Sequence, residues 1–291
     1  MSRSSLATGR RNSRDEFYTK YDDVKFELDH YISEFKDKII YCPCDAEDSA
    51  FVKYFLELEA KGLIKEVIYT SYRDGKGTDC LSDCAIDGYR HSDIIVTNPP
   101  FSLFREFIEL IDSTHKKFII WGNNNSLTYR IMAKLLKNNR IRLGYICNKT
   151  CEFEVPREYN DYQKVYSRDG KYFCKVPACS VFTNFNVERP LLQLSAESHY
   201  CKFDNYDAIN VDRVADIPDN YNGLIGVPIT YLSKHNSEQF EIVGVFNNFV
   251  PSDQDNGLLS GDRVQLLNGA FTCGPVIDKK AKYVRLIIRR K

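Results

Sequence analysis

The sequence lacks long hydrophobic runs, a secretory leader and an excess of either charge. Nowhere do eighteen apolar residues follow one another, so we expect no transmembrane helix and no membrane partner. Residues 1–14 are polar and basic without an apolar centre, so we expect no secretory signal. Because 40 basic residues balance 40 acidic ones, any contact with nucleic acid must come from a local basic patch.

Cysteine, in contrast, is frequent, with ten residues. Without a secretory signal, a disulfide framework is not expected, and reduced thiols of a cytosolic or nuclear protein are favoured. Several cysteines lie close together in sequence, namely Cys42/Cys44, Cys80/Cys84, Cys147/Cys151 and Cys174/Cys179. None of these pairs has the two-residue spacing of a zinc knuckle, and the five histidines are scattered. The sequence therefore predicts no metal site, with structural zinc as the less favoured alternative.

The length of 291 residues suffices for one large domain or two modest ones. Residues 1–14 carry four arginines without an acid among them. We interpret this segment as a flexible basic tail, with a phosphate-contacting arm as the alternative. We predict a core domain over residues 15–148 and a target-recognition and sheet-completing region over residues 149–291.

Strand and helix patterns alternate in the core region. Buried strands are predicted at 38–44, 66–72, 93–97, 117–121 and 141–146, and helices at 48–61, 102–112 and 126–137. Gly62 is expected to end the first of these helices, and Ser102 to cap the second. Strands separated by helices of this length predict an α/β fold with a predominantly parallel sheet.

The second half changes in composition to Tyr, Asn, Asp and Pro. Its clearest strand patterns cover residues 178–185, 224–232, 240–246 and 283–288. We therefore expect α+β or β-rich C-terminal additions to the α/β core.

The sharpest motif is Asn98-Pro99-Pro100-Phe101, directly after the predicted strand 93–97. Ligands of open α/β sheets bind beyond the carboxyl ends of the strands. Two prolines fix φ and supply no backbone N–H, so the Asn98 side-chain oxygen and the Pro99 carbonyl can both accept from one planar amino group. Phe101 offers a ring face for stacking. The motif thus suits an exocyclic amine on a flat heterocycle, whereas the plainer interpretation is a rigid turn.

This motif resembles the catalytic tetrapeptide of S-adenosylmethionine-dependent amino methyltransferases. The longer match is to the EcoRI-type adenine-specific DNA methyltransferases, and it runs over nearly the whole chain. The similar stretches are 15–21 (DEFYTKY), 40–44 (IYCPC), 93–106 (DIIVTNPPFSLFRE), 153–156 (FEVP), 204–209 (DNYDAI), 226–232 (GVPITYL), 239–244 (QFEIVG) and 282–291 (KYVRLIIRRK).

The resemblance implies a Rossmann-like methyltransferase core that transfers a methyl group from S-adenosylmethionine to adenine N6 in double-stranded DNA after base flipping. It further implies a monomer that needs no metal, a role in restriction–modification, and a cytoplasmic, nucleoid-associated or, in a eukaryote, nuclear location. The catalytic residues would be Asn98, Pro99, Pro100 and Phe101.

The resemblance also suggests that Phe17, Tyr18 and Thr19 cradle the methionine end of the cofactor. A hydroxyl and backbone donors suit a carboxylate there. The alternative is that Phe17 and Tyr18 only anchor the N-terminal tail through hydrophobic contacts.

The loop after the first strand has no glycine, so a dinucleotide fingerprint is absent. The resemblance implies that Tyr41 and Cys42 begin this part of the cofactor pocket. Asp45 is the preferred acceptor for the cofactor's ammonium group, ahead of Asp48, which could instead cap the next helix.

Two further residues complete the expected cofactor pocket. Tyr72 could stack on the cofactor adenine, and Asp79 could accept from its amine. For Asp79, a surface turn is an equally good interpretation.

Basic residues interleaved with tyrosines follow the core. This pattern is typical of phosphate contact and base stacking, although interspersed acids also fit a solvated mixed-charge surface. The expected DNA contacts are Arg140, Arg142, Lys149, Arg157 and Lys171.

Two other functions fit the catalytic motif. One keeps the chemistry but changes the substrate to RNA or a protein glutamine. The other is a catalytically inactive nucleic-acid-binding module whose glycine-free loop no longer holds cofactor.

Overall fold

The computed structural model describes residues 17–73, 76–77, 80–82, 85–157, 165–197, 199–247 and 253–291. The predicted basic tail therefore lies outside the described residues. The chain forms two compact units, the first running to Asn124 and including Leu143–Phe185, the second comprising Asn125–Arg142 and Asn186–Lys291. Within the described ranges, no helix is long and apolar enough to cross a membrane.

The first unit is built on an eight-stranded sheet. Its order is β2-β1-β5-β6-β10-β7, and β8 and β9 pair with β10. A separate two-stranded hairpin joins β3 and β4. The strands are β1 (Ile39–Cys42), β2 (Glu66–Tyr69), β3 (Tyr72–Arg73), β4 (Lys76–Gly77), β5 (Ile94–Thr97), β6 (Lys117–Asn123), β7 (Arg142–Leu143), β8 (Lys149–Val155), β9 (Val165–Arg168) and β10 (Lys171–Thr183).

Five α-helices accompany this sheet in the described part of the chain. They are α1 (Tyr21–Leu28), α2 (Ile32–Phe35), α3 (Ala50–Ala60), α4 (Ile86–His91) and α5 (Phe104–Thr114). Strands β2, β1, β5 and β6 run parallel to their neighbours, which confirms the α/β class. Strand β10 is antiparallel to β6, β8 and β9. The sheet is therefore mixed, and the expectation of a predominantly parallel sheet holds only for its first four strands.

The sheet also takes strands from both sides of residue 148. Strand β10 is thirteen residues long. Its second half pairs with β6 of the core, and its first half pairs with β8 and β9. A bulge between Val176 and Cys179 separates the two halves, and Ala178 there has a φ of 57°. A single strand thus links the α/β core to the β-rich region.

Local sequence explains where the helices begin and end. In α3, Phe51, Phe55 and Leu58 are buried, as their spacing predicts. The Ser49 hydroxyl accepts from the Val52 N–H at 3.1 Å, so Ser49 caps this helix and Asp48 does not. Gly62 follows the helix with a φ of 67°, a conformation that favours glycine.

Helix α5 begins later than its sequence predicts. A 3₁₀ turn over Phe101–Leu103 precedes it, and Leu103 occupies the N-cap position. Leu103, and not Ser102, is therefore the residue directly before the α-helix. The prolines before this turn set its start, because the Pro100 carbonyl accepts from the Leu103 N–H at 3.0 Å.

The second unit contains one α-helix, α6 (Arg130–Lys137), among its described residues. Its main sheet has the order β11-β12-β13-β20-β14-β15, and two hairpins, β16–β17 and β18–β19, stand apart from it. The strands are β11 (Cys201–Lys202), β12 (Ile209–Asn210), β13 (Ile225–Pro228), β14 (Phe240–Phe246), β15 (Leu258–Leu259), β16 (Val264–Gln265), β17 (Phe271–Thr272), β18 (Val276–Ile277), β19 (Lys280–Ala281) and β20 (Arg285–Arg290).

A buried carboxylate fastens the segment before β8 to α1. Glu27 is completely buried. It accepts from the Tyr145 N–H at 2.9 Å, the Ile146 N–H at 2.5 Å and the Tyr31 hydroxyl at 2.9 Å. A side chain at Gly144 would collide with it, since a Cβ there would lie 2.1 Å from Glu27 Oε1. These three donors offset the cost of burying the carboxylate.

We predict that Glu27→Gln destabilises the protein by roughly 1–3 kcal/mol, because an amide NH2 would face backbone donors that need an acceptor. The measurement is the free energy of unfolding in urea. Glu34→Gln is the matched control, because Glu34 is exposed on α2. Equal stability of the two variants would contradict the role given to Glu27.

A histidine of the second unit is held neutral by its surroundings. Burial, with smaller contributions from the positive charges of Arg142 and Lys291, lowers the pKa of His235 from 6.5 to about 4. The ring hydrogen-bonds the hydroxyl of buried Tyr231 at 3.0 Å. Between these two pKa values the unfolded chain binds a proton that the folded chain does not, so stability falls as pH decreases through this window.

The free energy of unfolding is expected to decrease when the pH is lowered from about 7 to about 5. We predict that this decrease is smaller in His235→Gln, because the substitution removes the titration of His235. Urea unfolding at both pH values measures the slope. His199→Gln serves as the control, since His199 is exposed. If the wild type and His235→Gln show the same slope, another group controls the acid sensitivity.

Candidate active site

The candidate site lies where the parallel strands β1 and β5 end. The two strands are adjacent, with Ile40 opposite Ile94 and Tyr41 opposite Ile95. Their carboxyl ends therefore meet at one edge of the sheet. At this edge the Thr97 hydroxyl donates to Asp45 Oδ2 at 2.6 Å, and both residues are buried. The glycine-free loop after β1 is thus joined by a side-chain bond to the strand that carries Asn98.

Asn98 is oriented by two hydrogen bonds from its amide nitrogen. Nδ2 donates to the Phe17 carbonyl at 2.9 Å and to Thr19 Oγ1 at 3.1 Å. Because a carbonyl can only accept, the contact with Phe17 fixes which amide atom is the nitrogen. Both amide hydrogens are engaged, while Oδ1 is buried and has no hydrogen-bond partner among the described residues. Asn98 therefore presents a prepared acceptor that still needs a donor.

The two prolines behave differently from one another. The Pro100 carbonyl accepts from Leu103 and starts the 3₁₀ turn. The Pro99 carbonyl receives no hydrogen bond from the described part of the chain. The role of Asn98 and Pro99 as a pair of acceptors for one amino group remains a prediction.

Phe101 lies in a cluster of three phenylalanines. Its ring stacks on Phe17 with 5.2 Å between centroids and 24° between planes. Phe153 of β8 meets both rings edge-on, at 5.6 Å from Phe17 and 6.3 Å from Phe101. Phe153 was not expected at the site, although the stretch 153–156 that contains it carries part of the family resemblance.

The segment Phe17–Thr19 therefore contacts the predicted catalytic motif through both backbone and side chains. Tyr18 pairs with Glu154 of β8, with N···O distances of 2.9 and 3.1 Å. This pairing holds Phe17 between Asn98 and Phe153. The structure thus brings together the residues predicted to be catalytic and the first three predicted for the cofactor.

Tyr41 and Cys42 are completely buried in β1. The Tyr41 hydroxyl hydrogen-bonds Thr70 Oγ1 at 2.7 Å, and its ring contacts Tyr89 at 5.0 Å. Burial raises the pKa of Tyr41 to about 12 and raises that of the Cys42 thiol. Both side chains therefore pack in the hydrophobic core next to the predicted pocket.

Cys44 lies in the loop after β1, and the Cys80 thiol is its neighbour. Burial, followed by the interaction with the Cys80 thiol, raises the pKa of the Cys44 thiol well above its ordinary value, and Thr97 acts in the opposite direction. Thr97 was not predicted as a site residue. Its position directly before Asn98 was the only feature of the sequence that could have indicated it. In the described ranges no group of three or more His, Cys, Asp or Glu side chains could hold a metal ion.

The other two predicted cofactor residues remain predictions. Tyr72 pairs with Gly77 through the backbone of the β3–β4 hairpin, but its side chain lies outside the described residues. Asp79 lies outside them entirely.

The predicted DNA contacts divide between the two units. Lys149, Arg157 and Lys171 belong to the first unit, and Arg140 and Arg142 belong to the second. Lys149 Nζ lies 4.6 Å from the centre of the exposed Phe26 ring, and Lys171 Nζ donates to Glu154 at 2.8 Å.

Other cations of the β8–β10–β9 region lie over aromatic rings. The Arg168 guanidinium is 4.5 Å from the centre of Phe173, and Lys175 Nζ is 5.7 Å from that of Tyr166. Some basic and aromatic side chains of this region therefore contact one another.

Comparison with known proteins identifies the family to which the chain belongs. A model of the family described as adenine-specific methyltransferase EcoRI matches residues 5–83 and 74–291. The Type II methyltransferase M.EcoRI of Escherichia coli is 37% identical, and the match covers 82% of this chain and 88% of that protein. The Type II methyltransferases M.MgeORF184P of Mycoplasma genitalium and M.MpnI of Mycoplasma pneumoniae are 33% and 32% identical, each over 97% of both chains. The chain therefore belongs to the EcoRI family of adenine-specific methyltransferases.

Proposed function

We propose that this protein transfers a methyl group from S-adenosylmethionine to the N6 amine of adenine in double-stranded DNA. The observation that carries the proposal is the buried, unpartnered Oδ1 of Asn98 at the end of β5. An acceptor fixed in this way suits an exocyclic amine that arrives with its own hydrogens.

The acceptors at Asn98 and Pro99 would activate the amine. Adenine N6 is a weak nucleophile, because its lone pair is delocalised into the ring. Two hydrogen bonds from N6 to Asn98 Oδ1 and the Pro99 carbonyl favour a pyramidal nitrogen and localise that pair. Positioning and prepared dipoles then supply most of the rate, so no strong general base is required.

The residues around the motif fit a cationic cofactor that carries a carboxylate. S-adenosylmethionine supplies the methyl group as an electrophilic sulfonium. The buried carboxylate of Asp45 would receive its ammonium group, and the segment Phe17–Thr19 would hold its methionine end. Tyr72 and Asp79 are proposed for its adenine. Together these residues form the cofactor side of a Rossmann-like methyltransferase core.

Phe101 would hold the target base after it has left the duplex. Phe17 covers one face of the Phe101 ring and Phe153 supports its edge. We expect the flipped adenine to lie against the ring face opposite Phe17. This arrangement presents a rigid aromatic surface, which lowers the entropy lost on stacking.

DNA is favoured over RNA or a protein glutamine because the relatives are Type II methyltransferases. We propose Arg140, Arg142, Lys149, Arg157 and Lys171 as phosphate contacts. A DNA substrate also accords with a part in restriction–modification.

The test is expression in bacteria without adenine methylation, followed by mass spectrometry of the host nucleosides and sequencing that locates modified bases. N6-methyladenine at one motif supports the proposal. Unmethylated DNA, together with cofactor binding in calorimetry, would redirect the search to RNA and protein. Absence of cofactor binding would favour the inactive binding module.

We predict that Asn98→Ala lowers single-turnover methyl transfer by roughly 10²–10³-fold, because it removes a prepared acceptor. Asn98→Asp is expected to fail similarly, since it loses the donors to Phe17 and Thr19. Cofactor affinity, measured by calorimetry, should stay near the wild-type value. Asn222→Ala is the control, because Asn222 is exposed, and wild-type rates in Asn98→Ala would refute the assignment.

We predict that Phe101→Ala weakens capture of the flipped base by about 1–3 kcal/mol, the usual contribution of one aromatic–base stack. A duplex with 2-aminopurine at the target position reports flipping as a rise in fluorescence. Phe101→Tyr keeps the ring and should preserve the signal. An unchanged signal in Phe101→Ala would contradict stacking.

A further inference from the structure

A hairpin of the second unit carries an exposed apolar tip. We call residues 262–274 the tip hairpin; it contains β16 and β17. The Gly269 N–H donates to the Leu266 carbonyl at 3.0 Å and closes a four-residue turn. Gly269 has a φ of 84°, which favours glycine. Leu267 occupies the second position of this turn, and 67% of its surface is exposed.

The base of the tip hairpin is firmly held. Asn205 Nδ2 donates to the carbonyls of Asp262 and Gly274, both at 2.9 Å, and so joins the two legs. The Asp262 N–H donates back to the Asn205 carbonyl at 2.8 Å. Gly261 passes so close to Asn205 that a Cβ would lie 2.2 Å from its backbone oxygen. The apolar tip is therefore presented on a fixed support.

Basic residues lie beside the tip, on the tip hairpin itself and on the neighbouring β18–β19 hairpin. The Leu267 N–H donates to the Lys279 carbonyl at 3.0 Å, which places the tip beside the β18–β19 hairpin. Lys279 and Lys280 are exposed there. The Arg263 guanidinium lies 4.8 Å from the centre of the Phe271 ring, which is 56% exposed. Residues 262–282 contain four basic and two acidic residues, although the whole chain has no net charge.

We propose that the tip hairpin is a wedge that enters duplex DNA, with Leu267 inserted between bases and Arg263, Lys279 and Lys280 on the flanking phosphates. Proteins that unstack DNA use apolar side chains in this way, supported by cations. The proposal rests on the proposed function, because it takes the same DNA as substrate.

The chemistry of the tip favours DNA over a protein partner. Two exposed apolar side chains are too few for a stable protein interface, which buries roughly 800 Å² on each partner. Cations that flank an apolar point complement a polyanion whose interior is stacked bases. The rigid support also matters, because a flexible tip could not transmit the force that separates two base pairs.

The test compares Leu267→Ala with Leu191→Ala. Leu191 is a matched control, because it lies in the same unit and is 65% exposed. Fluorescence anisotropy measures affinity for a short labelled duplex that carries the motif methylated in the expression host. We expect Leu267→Ala to lose about tenfold in affinity, or ~1.4 kcal/mol, and Leu191→Ala to bind like the wild type. Leu267→Phe, which keeps a wedge, should retain affinity.

A second variant tests the cations. Because each phosphate contact contributes about 0.9 to the slope of log affinity against log salt, Arg263→Gln should reduce the slope by that amount. Arg213→Gln is the control, since Arg213 is exposed and paired with Asp216. The free energy of unfolding of each variant is measured by fluorescence. A wild-type value shows that the substitution does not affect folding.

The outcomes separate the wedge from the proposed function. If Leu267→Ala and Leu191→Ala bind DNA with equal affinity, the wedge proposal is overturned, whereas the proposed methyltransferase function is not affected. If the host shows no methylated motif, the proposed function fails, and the same variants are compared on a mixed-sequence duplex. Loss of affinity there still supports the wedge. Loss of self-association in Leu267→Ala, with unchanged DNA binding, would instead make the tip a contact between two copies.

Discussion

The site depends on the two hydrogen bonds that Asn98 Nδ2 donates to Phe17 and Thr19. They use both amide hydrogens and so leave Oδ1 as an acceptor in one fixed direction. They also hold Phe17 where its ring stacks on Phe101. Because Tyr18 pairs with β8, the same short segment connects the Asn98–Phe101 motif to the antiparallel part of the sheet. A change in its position would therefore move acceptor and aromatic surface together.

Buried polar side chains bonded to backbone groups recur at the other junctions of the molecule. Glu27 accepts hydrogen bonds from two backbone N–H groups and so fixes the chain before β8. Asn205 donates hydrogen bonds to two backbone carbonyls and so connects the two ends of the tip hairpin. For Glu27, the cost of desolvating the carboxylate is offset only when every donor is in place. Such contacts specify one loop conformation more sharply than apolar packing does.

The glycine-free loop after β1 is held by side chains. The Asp45 N–H donates to the Thr70 carbonyl at 3.0 Å, and its carboxylate accepts from Thr97. The loop therefore spans the ends of β2, β1 and β5. Where a glycine would permit close approach of the backbone, this chain offers a buried acid. That chemistry suits an ammonium group, and it weakens the case for a module that has lost its cofactor.

The sequence by itself determined the α/β class, the four parallel strands and the place of the Asn98–Phe101 motif, because apolar runs and proline act locally. The helix start at Phe104 and the cap at Ser49 departed from expectation by one or two residues, because a 3₁₀ turn follows the prolines and because Ser49, next to Asp48, also offers a side-chain oxygen. Helix α1 was missed, since its burial depends on Glu27 contacts more than 100 residues away in sequence. Only the tertiary structure decided that Phe153 joins the site and that β10 runs through both halves of the sheet. Such pairings depend on distant segments meeting, and no local pattern encodes which segments meet.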